Sequence, residues 1–196
     1  MKKILMISAF AMMAVAMQAQ GTLTSLQYSM GFGTGNMNDY ISAMSFRGFT
    51  IDFRKLVTDN IGVGVDLGWN VFFEEQNEGV YEYEYVTYVG KQWRYSNHFP
   101  ILAAADYYLD KGGKLIPYAG FGLGTMYSLQ DTEMGTYYFE NDAWQFAIRP
   151  ELGFLIRATP NVGFNIVSKY YYGFEAGDLP AQGYFTINVG VAVSSF

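Results

Sequence analysis

The run IGVGVDLGWNVFF, residues 61–73, alternates with period two. Ile61, Val63, Val65, Leu67, Trp69, Val71 and Phe73 form one set; Gly62, Gly64, Asp66, Gly68 and Asn70 form the other, with Phe72 as the exception. Period two is the side-chain repeat of a β-strand. A soluble sheet would turn the second set to water, where Lys, Glu, Thr and Ser are usual and glycine is a poor strand residue. The small side therefore faces somewhere cramped, and the large side somewhere apolar and roomy.

The same alternation is read near 24–35, 45–54, 95–109, 115–128, 143–157, 161–173 and 184–196, which with 61–73 makes eight strands. Short turns follow the second, fourth and sixth of these, at Thr58-Asp59-Asn60, Lys111-Gly112-Gly113 and Thr159-Pro160-Asn161. Longer polar segments follow the others, near 36–44, 74–94, 129–142 and 174–183. Short turns at one end and long loops at the other, with strands long enough to cross a bilayer at a tilt, is the layout of an up-and-down membrane barrel. An eight-stranded ring is only just wide enough for side chains to fill it. Bulky residues must then face lipid and small or polar ones the bore, and the ring must close because an open edge in hydrocarbon leaves backbone groups unpaired. The expected fold is all-β: an eight-stranded, antiparallel, up-and-down transmembrane β-barrel.

Composition agrees with close-packed strands in an exported protein. Twenty-two glycines accompany 18% aromatic residues among the 196. The first stretch, MKKILMISAFAMMAVAMQAQG, has the layout of a signal peptide and is too short in its apolar run to span a bilayer as a helix. Cleavage is expected after Ala19, with a cut after Ala16 as the alternative, leaving residues 20–196 as the barrel domain. Without cysteine the chain has no disulfide, thiol nucleophile or lipid anchor on an N-terminal Cys. Loss of Lys2 and Lys3 leaves 10 basic against 18 acidic residues, a net charge of 10 − 18 = −8, which excludes nucleic acid as a partner.

Tyr107, Tyr108, Tyr127, Trp144, Tyr170 to Tyr172 and Tyr184 gather where strands end, as interfacial aromatic girdles do. The run HFPILAAADYYLDKGGKLIPYAGFGLGTMY, residues 98–127, resembles the small outer-membrane β-barrels of the OmpA-, OmpX- and OmpW-like group, through Pro100, Tyr107, Tyr108, Pro117, Tyr118, Gly120, Gly122 and Gly124. Phe196 resembles the terminal aromatic residue recognised by the outer-membrane assembly machinery, although it falls in the small-residue phase of the last strand. The resemblance implies a monomer in the outer membrane of a Gram-negative bacterium, in contact with its lipid and lipopolysaccharide.

Charged residues in the bore phase are Asp52, Arg54, Asp66, Asp106, Arg149, Glu151, Arg157 and Lys169. Charges in a low-dielectric tube must pair, and the expected network plugs the bore as lumen salt bridges do in related small barrels. Glycines in that phase leave some free volume, which keeps a narrow conduit for small or hydrophobic solutes as the alternative. His98, the sole histidine, stands two residues from Ser96; this is a weak echo of the lipid A-modifying barrels, and His98 is expected at the outer rim. No catalytic, metal or cofactor site is assigned. The long loops carry Asp39, Glu74, Glu75, Glu78, Glu82, Glu84, Asp131, Glu133, Glu140, Asp142, Glu175 and Asp178 against Lys91 and Arg94, without the ligand spacing of a calcium loop. VYEYEYVTYV, residues 80–89, alternates as a hairpin extension would. Gly31, Gly33 and Gly35 echo a phosphate loop, but no helical pattern follows and strand period explains them. The expected role is structural or surface interaction through the acidic loops, and not enzymatic.

Overall fold

Alternating faces become a single closed ring. A computed structural model describes residues 21–83, 86–109 and 113–194; the expected leader, Glu84, Tyr85, Lys111, Gly112 and Phe196 lie outside the described residues. In chain order the elements are β1 (Thr22–Thr34), α1 (Asn36–Tyr40), β2 (Arg47–Leu56), β3 (Ile61–Tyr83), β4 (Val86–Tyr108), β5 (Leu115–Met134), β6 (Tyr137–Arg157), β7 (Val162–Gly173) and β8 (Gln182–Ser194). Every strand pairs antiparallel with the next, and β1 closes on β8 from Leu23↔Ser194 to Thr34↔Gly183. Closure satisfies the backbone of the spanning strands, as hydrocarbon demands.

The outer surface is the apolar one. Leu26, Phe53, Leu67, Ile101, Leu123, Phe146, Leu152, Phe164 and Val191 are all exposed on the outside of the ring. Such a belt on a closed barrel makes the chain membrane-spanning. One row of rings crosses five strands at its upper border: Phe49 meets Trp69 at 6.1 Å, Trp69 stacks on Phe99 at 5.8 Å, Phe99 meets Tyr127 at 6.2 Å, and Tyr127 meets Trp144 at 5.2 Å between centroids. Three residues expected in a girdle do not belong to one. Tyr108, Tyr171 and Tyr184 are buried in the bore, because strict alternation turns only every second residue of the YY, YYY and GYF runs to lipid.

Two expected loops are strand. β3 and β4 run 23 residues each, β5 20 and β6 21, against 10 to 13 for the other four, so residues 74–83, 86–94 and 129–142 continue the barrel wall as a four-stranded sheet beyond the aromatic row. Polar residues occupy both faces of that extension, Gln92, Gln130 and Thr132 buried among those facing inward, so hydrophobic alternation fades while backbone pairing persists. The β5–β6 hairpin closes on Gly135-Thr136, with Gly135 at φ 61°, as a two-residue hairpin turn requires.

The bore glycines seat large side chains from neighbouring strands. A methyl group on Gly62 would lie 3.2 Å from Tyr108 Cε2, one on Gly31 3.3 Å from Phe72 Cζ, and one on Gly122 3.1 Å from Arg149 Nε. The free volume expected from these glycines is therefore occupied. Gly153 is the tightest case against a rigid ring, its added methyl 2.7 Å from Tyr118 Cζ. Gly153→Ala is expected to destabilise the barrel by about 1–3 kcal/mol, the usual cost of overpacking, measured by urea unfolding in micelles.

Candidate functional site

The bore is filled in three layers. Nearest the short turns, Leu23, Tyr108, Ile116, Tyr118, Leu155, Val167 and Ala192 pack together with Leu56. Toward the long strands, Phe72, Leu102, Met126, Ala147, Tyr171 and Tyr184 form a second apolar layer. Phe72, the exception in its run, belongs here: it keeps the bore phase of β3 and packs on Tyr184, ring centroids 5.4 Å apart.

Between these layers lies an ionic cluster. Arg54 Nε is 2.6 Å from Asp106 Oδ2, and Arg54 Nη2 is 3.6 Å from Glu151 Oε1. Arg149 Nη1 reaches Asp66 Oδ2 at 3.2 Å and pairs with Glu151. Lys169 Nζ lies 2.8 Å from Asp52 Oδ1, 3.0 Å from Asp66 Oδ2 and 3.8 Å from Glu151 Oε2. Seven side chains from β2, β3, β4, β6 and β7 are thus joined, all of them buried. Gln27 Nε2 donates to Asp52 at 2.6 Å and ties in β1, and Tyr108 OH donates to Asp106 at 3.4 Å and ties in the lower layer. Arg157 sits at the short-turn end of β6, half-buried.

The upper mouth is also covered. From α1 and the residue after it, Met37 and Ile41 are fully buried against the upper layer. Arg94 Nη1 donates to the Tyr40 carbonyl at 2.9 Å, Tyr40 OH donates to the Asp131 carbonyl at 2.8 Å, and Ser42 N donates to Glu74 Oε2 at 2.5 Å. The β7–β8 loop is held by Gln145 Nε2 and Gln182 Nε2, which donate to the Pro180 carbonyl at 3.1 and 2.9 Å.

His98 is not at the rim. It is fully buried, stacked on Tyr184 at 4.9 Å, because even-numbered residues of β4 face the bore. Ser96 is hydrogen-bonded to it after all: Oγ lies 3.0 Å from His98 Nε2, while His98 Nδ1 lies 2.9 Å from Ser128 Oγ. Both ring nitrogens are thus engaged by hydroxyls, and Ser128 donates onward to Gln145 Oε1 at 2.8 Å. Ser128 and Gln145 escaped sequence reasoning because their link to His98 exists only across strands.

No known protein family and no curated protein matches the sequence. Solved structures do. OprG, an outer membrane protein from Pseudomonas aeruginosa, is 14% identical with a TM-score of 0.55, covering 89% of this chain and 95% of that one. The chain has the fold of the small outer-membrane β-barrels. Neisserial surface protein A is likewise 14% identical, TM-score 0.52, over 90% of this chain and 96% of that one. Ail, the attachment invasion locus protein of Yersinia pestis, solved with the heparin analogue sucrose octasulfate, is 12% identical, TM-score 0.52, over 90% and 99%.

Beyond the aromatic row, acids face each other across strands. Asp131 is the cross-strand partner of Glu140, and Tyr138 OH donates to Asp131 Oδ1 at 2.8 Å and to Glu140 Oε2 at 3.0 Å. Partial burial, and then the Glu140 charge, raise the Asp131 carboxyl above its ordinary value against the opposing pull of the Tyr138 hydroxyl. Those acceptors in turn raise the Tyr138 hydroxyl. On the other hairpin, the hydrogen bond and charge of Lys91 Nζ, 2.5 Å from Glu75 Oε1, lower the Glu75 carboxyl; the pair is exposed and contributes little to stability.

Two outcomes follow. Arg149→Ala, which leaves four buried carboxylates to two cations, Arg54 and Lys169, is expected to cost about 3–5 kcal/mol in urea unfolding, whereas Lys91→Ala leaves the midpoint unchanged. Glu140→Gln removes the facing charge, so the Asp131 carboxyl is expected to titrate lower by NMR than in the parent.

Proposed function

We propose that the chain is a barrel of the Gram-negative outer membrane whose bore is shut and whose role is surface interaction, carried by the acidic four-stranded sheet above the lipid. The observation behind this reading is the filled bore, an ion cluster between two apolar layers beneath a strapped mouth. A solute would have to break buried ion pairs to pass, so the conduit reading loses its support. By the usual asymmetry of such barrels, the short turns face the periplasm and the long hairpins the outside.

The sign of the sheet narrows its partners. Among its described residues, 74–83, 86–95 and 129–142, eight acids (Glu74, Glu75, Glu78, Glu82, Asp131, Glu133, Glu140, Asp142) meet Lys91 and Arg94, a net of 2 − 8 = −6. A polysulfated ligand of the kind bound by Ail would be repelled here. The partners that fit are cationic, with lipopolysaccharide approached only through bridging divalent cations. An enzymatic role has little to stand on, since His98 lies under Tyr184 with both nitrogens bonded to serines and no carboxylate in that hydrogen-bonded chain.

The purified barrel in planar bilayers is expected to show no steady conductance above bare lipid. A large, persistent current would overturn the shut-bore reading. Lipid A from cells with and without the protein is expected to be identical; a change in its acylation would restore the enzyme reading.

A further inference from the structure

We propose that the bore cluster is a covalent modification site, in which Lys169 Nζ condenses with the Asp52 carboxyl to form an amide and one water is released. The link goes beyond the surface-interaction reading and does not depend on it.

Three residues from three strands supply the parts. Lys169 on β7 is fully buried, and its Nζ lies 2.8 Å from Asp52 Oδ1 and 3.0 Å from Asp52 Oδ2. Contact with both oxygens brings the carbon between them within the roughly 3–3.5 Å from which a nucleophile attacks. Asp66 on β3 is the direct cross-strand neighbour of Asp52 on β2, so two adjacent carboxylates meet the same ammonium, Asp66 Oδ2 at 3.0 Å. Glu151 stands farther off, 3.8 Å from Nζ.

The two aspartates are not equivalent. Asp52 Oδ2 accepts from Gln27 Nε2 at 2.6 Å and from Ser25 Oγ at 3.4 Å, two donors aimed at one oxygen of the carbon under attack. Donors placed in this way stabilise the negative oxygen of a tetrahedral intermediate. Oδ1, the oxygen nearer to Nζ, is then the one that leaves. Asp66 Oδ2 is instead held by Arg149 Nη1 at 3.2 Å, and among the described residues no donor reaches Asp66 Oδ1. An oriented carboxylate beside the amine can carry protons, whereas Asp52 is the polarised acyl group.

Atoms and charges balance without a further reactant. The ammonium holds three protons, and Asp66 relays two of them in turn to Asp52 Oδ1. Once the first has left, the amine attacks the Asp52 carbon and the Nζ–C bond forms. With the second, the C–Oδ1 bond breaks and Oδ1 departs as water, while the third proton stays on the amide nitrogen. The opposite charges of the pair cancel, Asp66 ends as it began, and nothing is oxidised or reduced.

Burial favours the step. Out of water, an ion pair loses the hydration that separates it in energy from its neutral form. Apolar layers on both sides, with Leu102 and Tyr171 above and Tyr108 and Tyr118 below, keep out the water that the reverse hydrolysis needs. The chain has no cysteine, and the amide supplies a cross-link that a disulfide cannot, tying β2 to β7 between residues 117 apart in sequence.

The test folds the full barrel from urea into micelles, incubates it, unfolds it again and compares its intact mass with that of the same chain never folded. A mass lower by one water is expected, together with a proteolytic fragment that joins the segments holding Asp52 and Lys169. Asp52→Asn gives the same amide with ammonia as the leaving group, so it is expected to lose ammonia in place of water. Lys169→Arg and Asp66→Asn, each checked as folded by circular dichroism, are expected to keep their full mass. A folded parent barrel whose mass does not change would overturn the inference, whatever the variants do. So would a lost water that maps to a fragment without Lys169, the mark of an aspartate cyclising on its own backbone. Linkage in Asp66→Asn at the parent's rate would overturn the proton route.

Discussion

The narrowness of an eight-stranded bore is the constraint on which the rest depends. Such a ring has room for about one layer of inward side chains at a time, so every large residue that points in needs a small one opposite its path. Tyr108 lies over Gly62, Tyr118 over Gly153, Arg149 over Gly122 and Phe72 over Gly31. The glycines that look like gaps in the sequence are the seats for rings and a guanidinium supplied by other strands. The bore is a packed interior as dense in purpose as a soluble core, though it is turned away from the apolar solvent.

The ionic cluster follows from the same geometry. Placed among lipid-facing walls, three cations and four carboxylates escape a prohibitive desolvation cost only by meeting one another, and Lys169 does so with Asp52 and Asp66 across the full width of the barrel. The partners come from five strands, so the cluster forms only when β2, β3, β4, β6 and β7 are in register. It penalises register slips that a purely apolar filling would tolerate. The apolar layers above and below it keep water out and sharpen its attractions. Rigidity in the bore then leaves the long hairpins as the part of the molecule that can meet something else.

Much of the fold was legible because period two carries it. β1, β3 from Ile61 and β7 lie close to where alternation puts them, and the charges Asp52, Arg54, Asp66, Asp106, Arg149, Glu151 and Lys169 have inward phase in sequence and in structure. The expectation failed where alternation loses its physical cause. Residues 74–79 and 129–134 carry polar side chains in both phases, so no apolar side marks them, and they read as loops although they are strands. Tyr171 and Tyr184 were misplaced because aromatic composition near a strand end suggests a girdle whereas parity decides the side. His98 was misread for the same reason, and its bonds to Ser96 and Ser128 depend on side-chain reach across β4 and β5.

By itself the sequence determined the solvent on each face, the number of spanning strands and the sign of the exposed hairpins, since these follow from the periodicity and charge of individual segments. Only the tertiary structure decided whether the bore is open and which acid meets which base. Those outcomes depend on the stagger between strands, and stagger sets distances between residues that lie far apart in the chain.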